Sequence, residues 1–165
     1  MITTEIKESI QSKLGDAVVA VEQHYDFPVY VIRKEKIHEA LKMLKEDPEF
    51  NFHFLTTMCG IHSPENKGAE FALMYQLHNM PKNWRIRVRT FMSKEDLNVP
   101  TVSDIWPAAN WQERQEYDFY GFNFVGHPDL RRILNMEEMN YFPMRREYPL
   151  EDAWREDKED KYFGR

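Results

Sequence analysis

The chain reads as an α+β fold: a mostly antiparallel sheet with helices packed on it and an extended C-terminal segment. Three observations carry that reading. Apolar residues recur at helical spacing in two stretches, at Ile2, Ile6, Ile10 and Leu14 and again at Ile37, Ala40, Leu41 and Leu44. Elsewhere apolar and polar residues alternate, most clearly from Phe71 to Leu77 and from Trp84 to Phe91, with a short turn at 80–83. After Leu134 no period survives, and Pro143 and Pro149 bound an extended stretch. At 165 residues the chain fits one domain with a core large enough to need no disulfide or metal. We expect that domain over 1–134 and a partner-docking tail over 135–165.

The first apolar stretch ends at Gly15, as an amphipathic helix stopped by a left-handed glycine would. Val18, Val19 and Val21 make 17–22 β-rich, His24-Tyr25-Asp26 can turn, and 27–32 is β-rich again, so a hairpin is expected. A helix should follow over about 34–45, ended by Asp47-Pro48, because the residue before proline avoids the helical region. Phe50, Phe52 and Phe54 alternate with Asn51 and His53, which suggests a strand, while 55–61 fits a strand or a helical turn. Ser63 to Gly68 is a polar loop. In 84–91 the alternation puts Trp84, Ile86 and Val88 on one face and Arg85, Arg87 and Arg89 on the other. Ser93 to Pro100 is a charged connection without a period. Ser103 can cap a short turn holding Ile105 and Trp106, and Pro107 then opens a helix expected to stop at Gly121.

Composition excludes several function classes. The net charge of −6 argues against non-specific nucleic-acid binding, which needs an excess of Lys and Arg. Cys59 is the single cysteine, so no internal disulfide forms and a reducing compartment is favoured. No stretch approaches the ~20 apolar residues of a membrane span, and the N-terminus lacks a signal pattern; a soluble cytoplasmic protein is expected. Aromatics at 14% hint at an interface, where Tyr and Trp concentrate.

Candidate chemistry is thin. Cys59-Gly60-Ile61-His62 has metal-like spacing, but structural zinc takes four ligands and no second Cys or paired His lies at matching distance. Glu113 and Glu116 are expected to project from their helix as surface carboxylates, with no nucleophile or phosphate-cradling glycine loop beside them. His127 could serve as a general base, although a histidine fixed by the following Pro128 better fits a hydrogen-bonding strut. Arg85, Arg87 and Arg89 could track phosphates, but contact with a partner's carboxylates, or plain solubility, suits the acidic total better.

Information is densest from Trp111 to Pro149. Arg114 and Asp118 sit one helical turn apart, as do Glu113 and Tyr117. Asp118 lies near the negative end of the helix dipole, so we expect a cation against it, from Arg131 or Arg132; a solvated acid is the alternative. Gly126 lets the chain reverse, and His127 must be extended before Pro128, which aims Asp129, Arg131 and Arg132 in a fixed direction. The expectation is a partly buried charge network of Glu113, Arg114, Asp118, Arg131 and Arg132. The aromatic stretch Tyr141-Phe142-Pro143-Met144-Arg145-Arg146-Glu147-Tyr148-Pro149-Leu150 should lie on a surface, its own domain's or a neighbour's. From Glu151 a charged tail follows, expected to be mobile until bound.

Trp106-Pro107-Ala108-Ala109-Asn110-Trp111, Glu113-Arg114, Tyr117-Asp118, Gly121, Phe124 and Gly126-His127-Pro128-Asp129-Leu130-Arg131-Arg132-Ile133-Leu134 together resemble the signature of the 30 kDa subunit family of respiratory complex I, the C-type subunit of bacterial NADH-quinone oxidoreductase. The likeness is detailed from about Thr101 to Pro149 and general upstream. It departs where the family's Gly-His-Pro-Leu-Arg-Lys-Asp is here Tyr141 to Glu147, which keeps charge and shape but loses the glycine and histidine. The resemblance implies a non-catalytic subunit of the peripheral arm, on the cytoplasmic side of the inner membrane and touching the membrane only through the complex. It further implies packing against the 49 kDa-type subunit near the quinone site, with no flavin, cluster or metal of its own. One cysteine against the usual four per cluster agrees. In that reading the motif residues serve assembly, and Tyr141, Phe142, Pro143, Arg145, Arg146 and Tyr148 dock the partner. The alternatives are the equivalent subunit of a related ferredoxin- or hydrogenase-linked membrane complex and, more distantly, a nucleic-acid-binding domain.

Overall fold

Residues 2–148 are described by the computed structural model. α1 (Thr4–Leu14) buries Ile10 and Leu14, and Gly15 ends it with a positive φ, its amide donating to the Gln11 carbonyl. The ψ of Gly15, −126°, is not that of the expected left-handed cap, because the chain passes at once into a 3-10 turn (Gly15–Ala17) that feeds the first strand. β1 (Val18–His24) and β2 (Phe27–Ile32) form the expected hairpin around Tyr25-Asp26. α2 (Ile37–Glu46) buries Ile37, Ala40, Leu41 and Leu44, the predicted face.

The ambiguous stretch 55–61 is strand, within β3 (Phe54–His62). Phe50 and Phe52, however, precede the strand rather than belong to it. Asn51 adopts φ +41°, and both rings are fully buried in the loop after α2, where the Phe52 amide donates to the Leu44 carbonyl at 3.0 Å. Alternation there records burial in a loop, not a pleat. β4 (Phe71–Asn79) and β5 (Trp84–Met92) form the long antiparallel hairpin. The sheet order is β1-β2-β5-β4-β3, and among the described residues only β2 and β5 pair in parallel within it. Helices cover one face. Tyr30, Met58, Leu73, Tyr75, Leu77, Ile86 and Val88 point into that layer and share one core with Ile10, Leu14 and the α2 face.

Two strands went unpredicted: β6 (Asn98–Pro100), inside the supposedly structureless connection, and β7 (Asn123–Val125), which pairs with it in parallel. Three residues are too few to display a period, and the pairing exists only because α3 (Ala109–Tyr120) returns the chain beside β6. Ser103 does not cap the turn before α3; its own amide donates to the Thr101 hydroxyl at 3.1 Å. No helix among the described residues is long and apolar enough to cross a membrane. From Asn135 to Tyr148 the chain runs in turns and bends with no regular element. The expected extension through Pro149 and Leu150, and the charged tail from Glu151, lie outside the described residues.

Candidate functional site

α3 contributes little apolar surface, so the face it buries is polar. Glu113 and Asp118 are fully buried, and Arg114 and Glu116 nearly so. The expectation that Glu113 and Glu116 project into solvent is therefore wrong, and the reason lies in backbone groups far away in sequence. The Val102 amide donates to Glu113 at 2.6 Å and the Thr101 hydroxyl at 2.5 Å. The Gly60 amide donates to Glu116 at 2.6 Å. β3 is a sheet edge, and Glu116 supplies the acceptor that a further strand would have supplied. Gly60 permits this approach: a Cβ there would sit 2.6 Å from the Glu116 carboxylate and the Tyr120 ring and 2.7 Å from Phe122. Burial pushes Glu113 up to about 7, against the bonds from Thr101 and Val102, and pushes Glu116 up to about 7, against the bond from Gly60.

His127 acts as a strut. The Asp129 amide donates to its Nδ1 at 3.0 Å, which places the ring proton on Nε2, where it faces the Asn110 carbonyl at 3.1 Å and the Glu113 carboxylate at 3.9 Å. The imidazole thereby pins the Gly126-His127-Pro128 bend to the start of α3. Phe124, nearly fully buried on β7, and half-buried Leu130 pack that bend onto the core.

At the other end of the helix Asp118 organises the chain. Its Oδ2 accepts the consecutive amides of Ile133, Leu134 and Asn135 at 3.2, 2.8 and 2.9 Å, and Arg132 donates to its Oδ1 at 2.7 Å. Burial opposes ionisation, but the amides of Asn135 and Leu134 together with the Arg132 guanidinium hold this carboxyl well below the usual carboxylate range. Arg132 also donates to the carbonyls of Asp118, Met139 and Tyr141 at 3.0, 2.7 and 2.9 Å. One side chain thus ties helix, bend and C-terminal segment together. Arg131, the other candidate, has a side chain 64% exposed that among the described residues bonds the surface carboxylate of Asp129, at 3.0 Å, and not Asp118. Arg114 does not pair with Asp118; it donates to the carbonyls of Arg131 and Arg132, each at 3.2 Å, and lies over Trp111. Of the anticipated five-membered network only Asp118 with Arg132 is a close ion pair among the described residues; Glu113 is bonded instead by Thr101 and Val102, and Arg114 braces the backbone through the carbonyls of Arg131 and Arg132.

The segment from Tyr141 to Tyr148 folds onto its own domain. Met144 donates its amide to the Phe119 carbonyl at 3.2 Å, Arg145 its Nε to the Tyr120 carbonyl at 2.7 Å, and Arg146 its amide to His62 Nδ1 at 3.0 Å. Phe142 meets Tyr117 edge to face, and Arg145 lies between the rings of Phe71 and Phe142. Gly121 makes room. Its φ is +83°, and a Cβ would lie 2.6 Å from Phe142 and 2.7 Å from the Arg145 guanidinium; helix termination and strap docking depend on the same missing side chain. Burial lowers the pKa of His62, consistent with a neutral ring that accepts the Arg146 amide.

Cys59 and His62 face opposite sides of β3 and do not converge, and among the described residues no group of three or more His, Cys, Asp or Glu could hold a metal ion. Sequence reasoning missed Gly60, Thr101 and His62 as parts of the site. The one available signal was that α3, ANWQERQEYDFY, offers few apolar residues for a helix packed on a sheet edge.

The family model described as Respiratory-chain NADH dehydrogenase, 30 Kd subunit, matches residues 30–153. A C-type subunit of NADH-quinone oxidoreductase from Rhizobium etli (strain CIAT 652) is 37% identical over 142 residues, 86% of this chain and 74% of that one. The corresponding C-type subunit from Hyphomonas neptunium (strain ATCC 15444) is 36% identical over 147 residues, 89% and 72%. Among solved structures, Nqo5 of the trypsin-resistant fragment (1-134) in P63 form superposes with TM-score 0.65 at 30% identity, covering 76% of this chain and 97% of that one. A chain of the membrane-bound sulfane sulfur reductase, an archaeal respiratory membrane complex, superposes with TM-score 0.74 at 26% identity, covering 88% and 85%.

Proposed function

Because the chain belongs to the 30 kDa subunit family of the respiratory-chain NADH dehydrogenase, we propose that within that multi-component assembly it is a docking subunit without catalytic residues of its own. It positions the 49 kDa-type subunit near the quinone site, from the cytoplasmic side of the membrane. The carrying observation is the brace at Asp118, where one buried carboxylate fixes three consecutive amides and a guanidinium. Such an arrangement engages both carboxylate oxygens of Asp118 and both terminal nitrogens of Arg132 in structural bonds, and it fixes the course of the following chain. That chain presents Leu134 (62% exposed), Met136 (69%) and Met144 (51%) to the outside. Unpaired apolar side chains on a braced scaffold suit burial against a partner.

The experiment is native mass spectrometry of detergent extracts from cells carrying Asp118→Ala or, to keep the brace intact, Leu134→Asp with Met136→Asp. We expect less assembled complex in each, while the complex that does assemble turns over normally. Full assembly with lowered turnover would overturn the reading. A second reading places the subunit in a related complex with another electron donor, favoured by the superposition on the sulfane sulfur reductase chain; the polypeptides that travel with the protein in the same spectra decide between them.

A further inference from the structure

The helices cover one face of the five-stranded sheet, and no described element covers the other. Strand register sets its composition. Thr57, Gln76, Arg87, Val29 and Glu22 stand side by side in one row, and Cys59, Met74, Arg89 and Val31 in the next. Arg85 continues the stripe. This face is cationic on a chain of net charge −6. Glu22 is the one carboxylate in those rows, and it pairs with Arg89 at 2.6 Å; Arg85 and Arg87 have no acidic partner among the described residues. The guanidinium of Arg87 lies over the Phe27 ring at 4.7 Å and that of Arg89 over Phe91 at 4.8 Å. The positions of these two guanidinium groups are thereby set in advance.

Resting on the family reading above, we propose that this sheet face is a second docking surface, separate from the Asp118 brace. Its occupant is an extended, carboxylate-bearing segment of another subunit of the complex. Arg85, Arg87 and Arg89 repeat about every 6.6–6.8 Å, the spacing of side chains on one face of an extended chain. The planar donor forks of Arg85 and Arg87, which lack an acidic partner among the described residues, match carboxylates. Met74, Cys59 and Ile61 beside them offer a polypeptide apolar contact, whereas a phosphate backbone would meet Glu22 and the field of an acidic chain.

The test places the photo-reactive residue benzoylphenylalanine at Gln76 in the intact complex, and separately introduces Arg85→Glu with Arg87→Glu. We expect Gln76 to cross-link to an acidic peptide of a neighbouring subunit, and the charge reversal to lower recovery of that subunit with the complex by about tenfold or more. Purified variant protein should still unfold cooperatively; if it does not fold, Arg85→Gln with Arg87→Gln repeats the test by charge removal alone. A fully assembled complex with no cross-link from Gln76 overturns the proposal, and the docking role of the brace stands if Leu134→Asp with Met136→Asp still impairs assembly. Salt-dependent binding of purified wild-type protein to DNA or RNA, lost on charge reversal, overturns it in favour of a nucleic-acid surface.

Discussion

Glu116 and Asp118 stand two residues apart on α3, are both shut away from water, and titrate in opposite directions. Glu116, like Glu113 one turn before it, meets neutral donors: amides and a hydroxyl. Asp118 collects three amides and a guanidinium. Burial raises a carboxyl pKa by default, and a few neutral donors do not reverse that; a nest of amides completed by a cation does. The middle of α3 is thus a seam of weakened acids, Glu116 on the sheet edge and Glu113 on residues 101–102, and its C-terminal part an ionic clamp on the chain that follows.

Asp118→Ala should break the clamp with the largest effect, about 3–5 kcal/mol of unfolding free energy, because it strands a buried guanidinium and three amides; urea denaturation of the purified protein measures it. The seam predicts an unusual pH response. Glu113 and Glu116 rise from an ordinary 4.5 to about 7 on folding, so the folded state holds more protons than the unfolded one between those values. Their contribution is complete below 4.5 and lost as pH climbs through about 7, on the order of 3 kcal/mol for each. Asp118 has the opposite sign, its contribution being lost as pH falls below its ordinary 3.8. Stability should therefore peak between about pH 4 and 5, and Glu113→Gln with Glu116→Gln should flatten the decline above it. Denaturation curves from pH 4 to 8 that rise monotonically would merge the two halves into one ordinary set of carboxylates.

Gly121→Ala tests the junction between seam and clamp, with an expected loss of roughly 1–3 kcal/mol from left-handed strain and displacement of Phe142. Limited proteolysis should then cut earliest between Tyr141 and Tyr148. Smallest of all, Arg131→Ala should leave stability within about 0.5 kcal/mol, which separates it from Arg132 next door; a comparable loss at both positions would deny that only one arginine belongs to the clamp.

Much of this was open to sequence reasoning because it is local. Helix periods at 4–14 and 37–46, the β4–β5 alternation, the stop at Gly121 and the cation beside Asp118 each follow from residues within a few turns of one another. Choosing Arg132 over Arg131 was not local. Adjacent residues on a non-helical stretch point in different directions, and only the path of 133–135 across Asp118 selects one. Phe50 and Phe52 mimicked a strand because alternation reports burial whatever the backbone does.

The sequence by itself determined the longer elements, the faces that α1 and α2 bury and the family, since short-range periodicity and a long linear motif specify these without knowledge of distant contacts. Tertiary structure alone decided that Glu113 and Glu116 are interior groups and that residues 141–148 lie on α3. Both outcomes depend on partners 11 to 84 positions away, and a buried carboxylate is stable only where such a partner arrives to bond it.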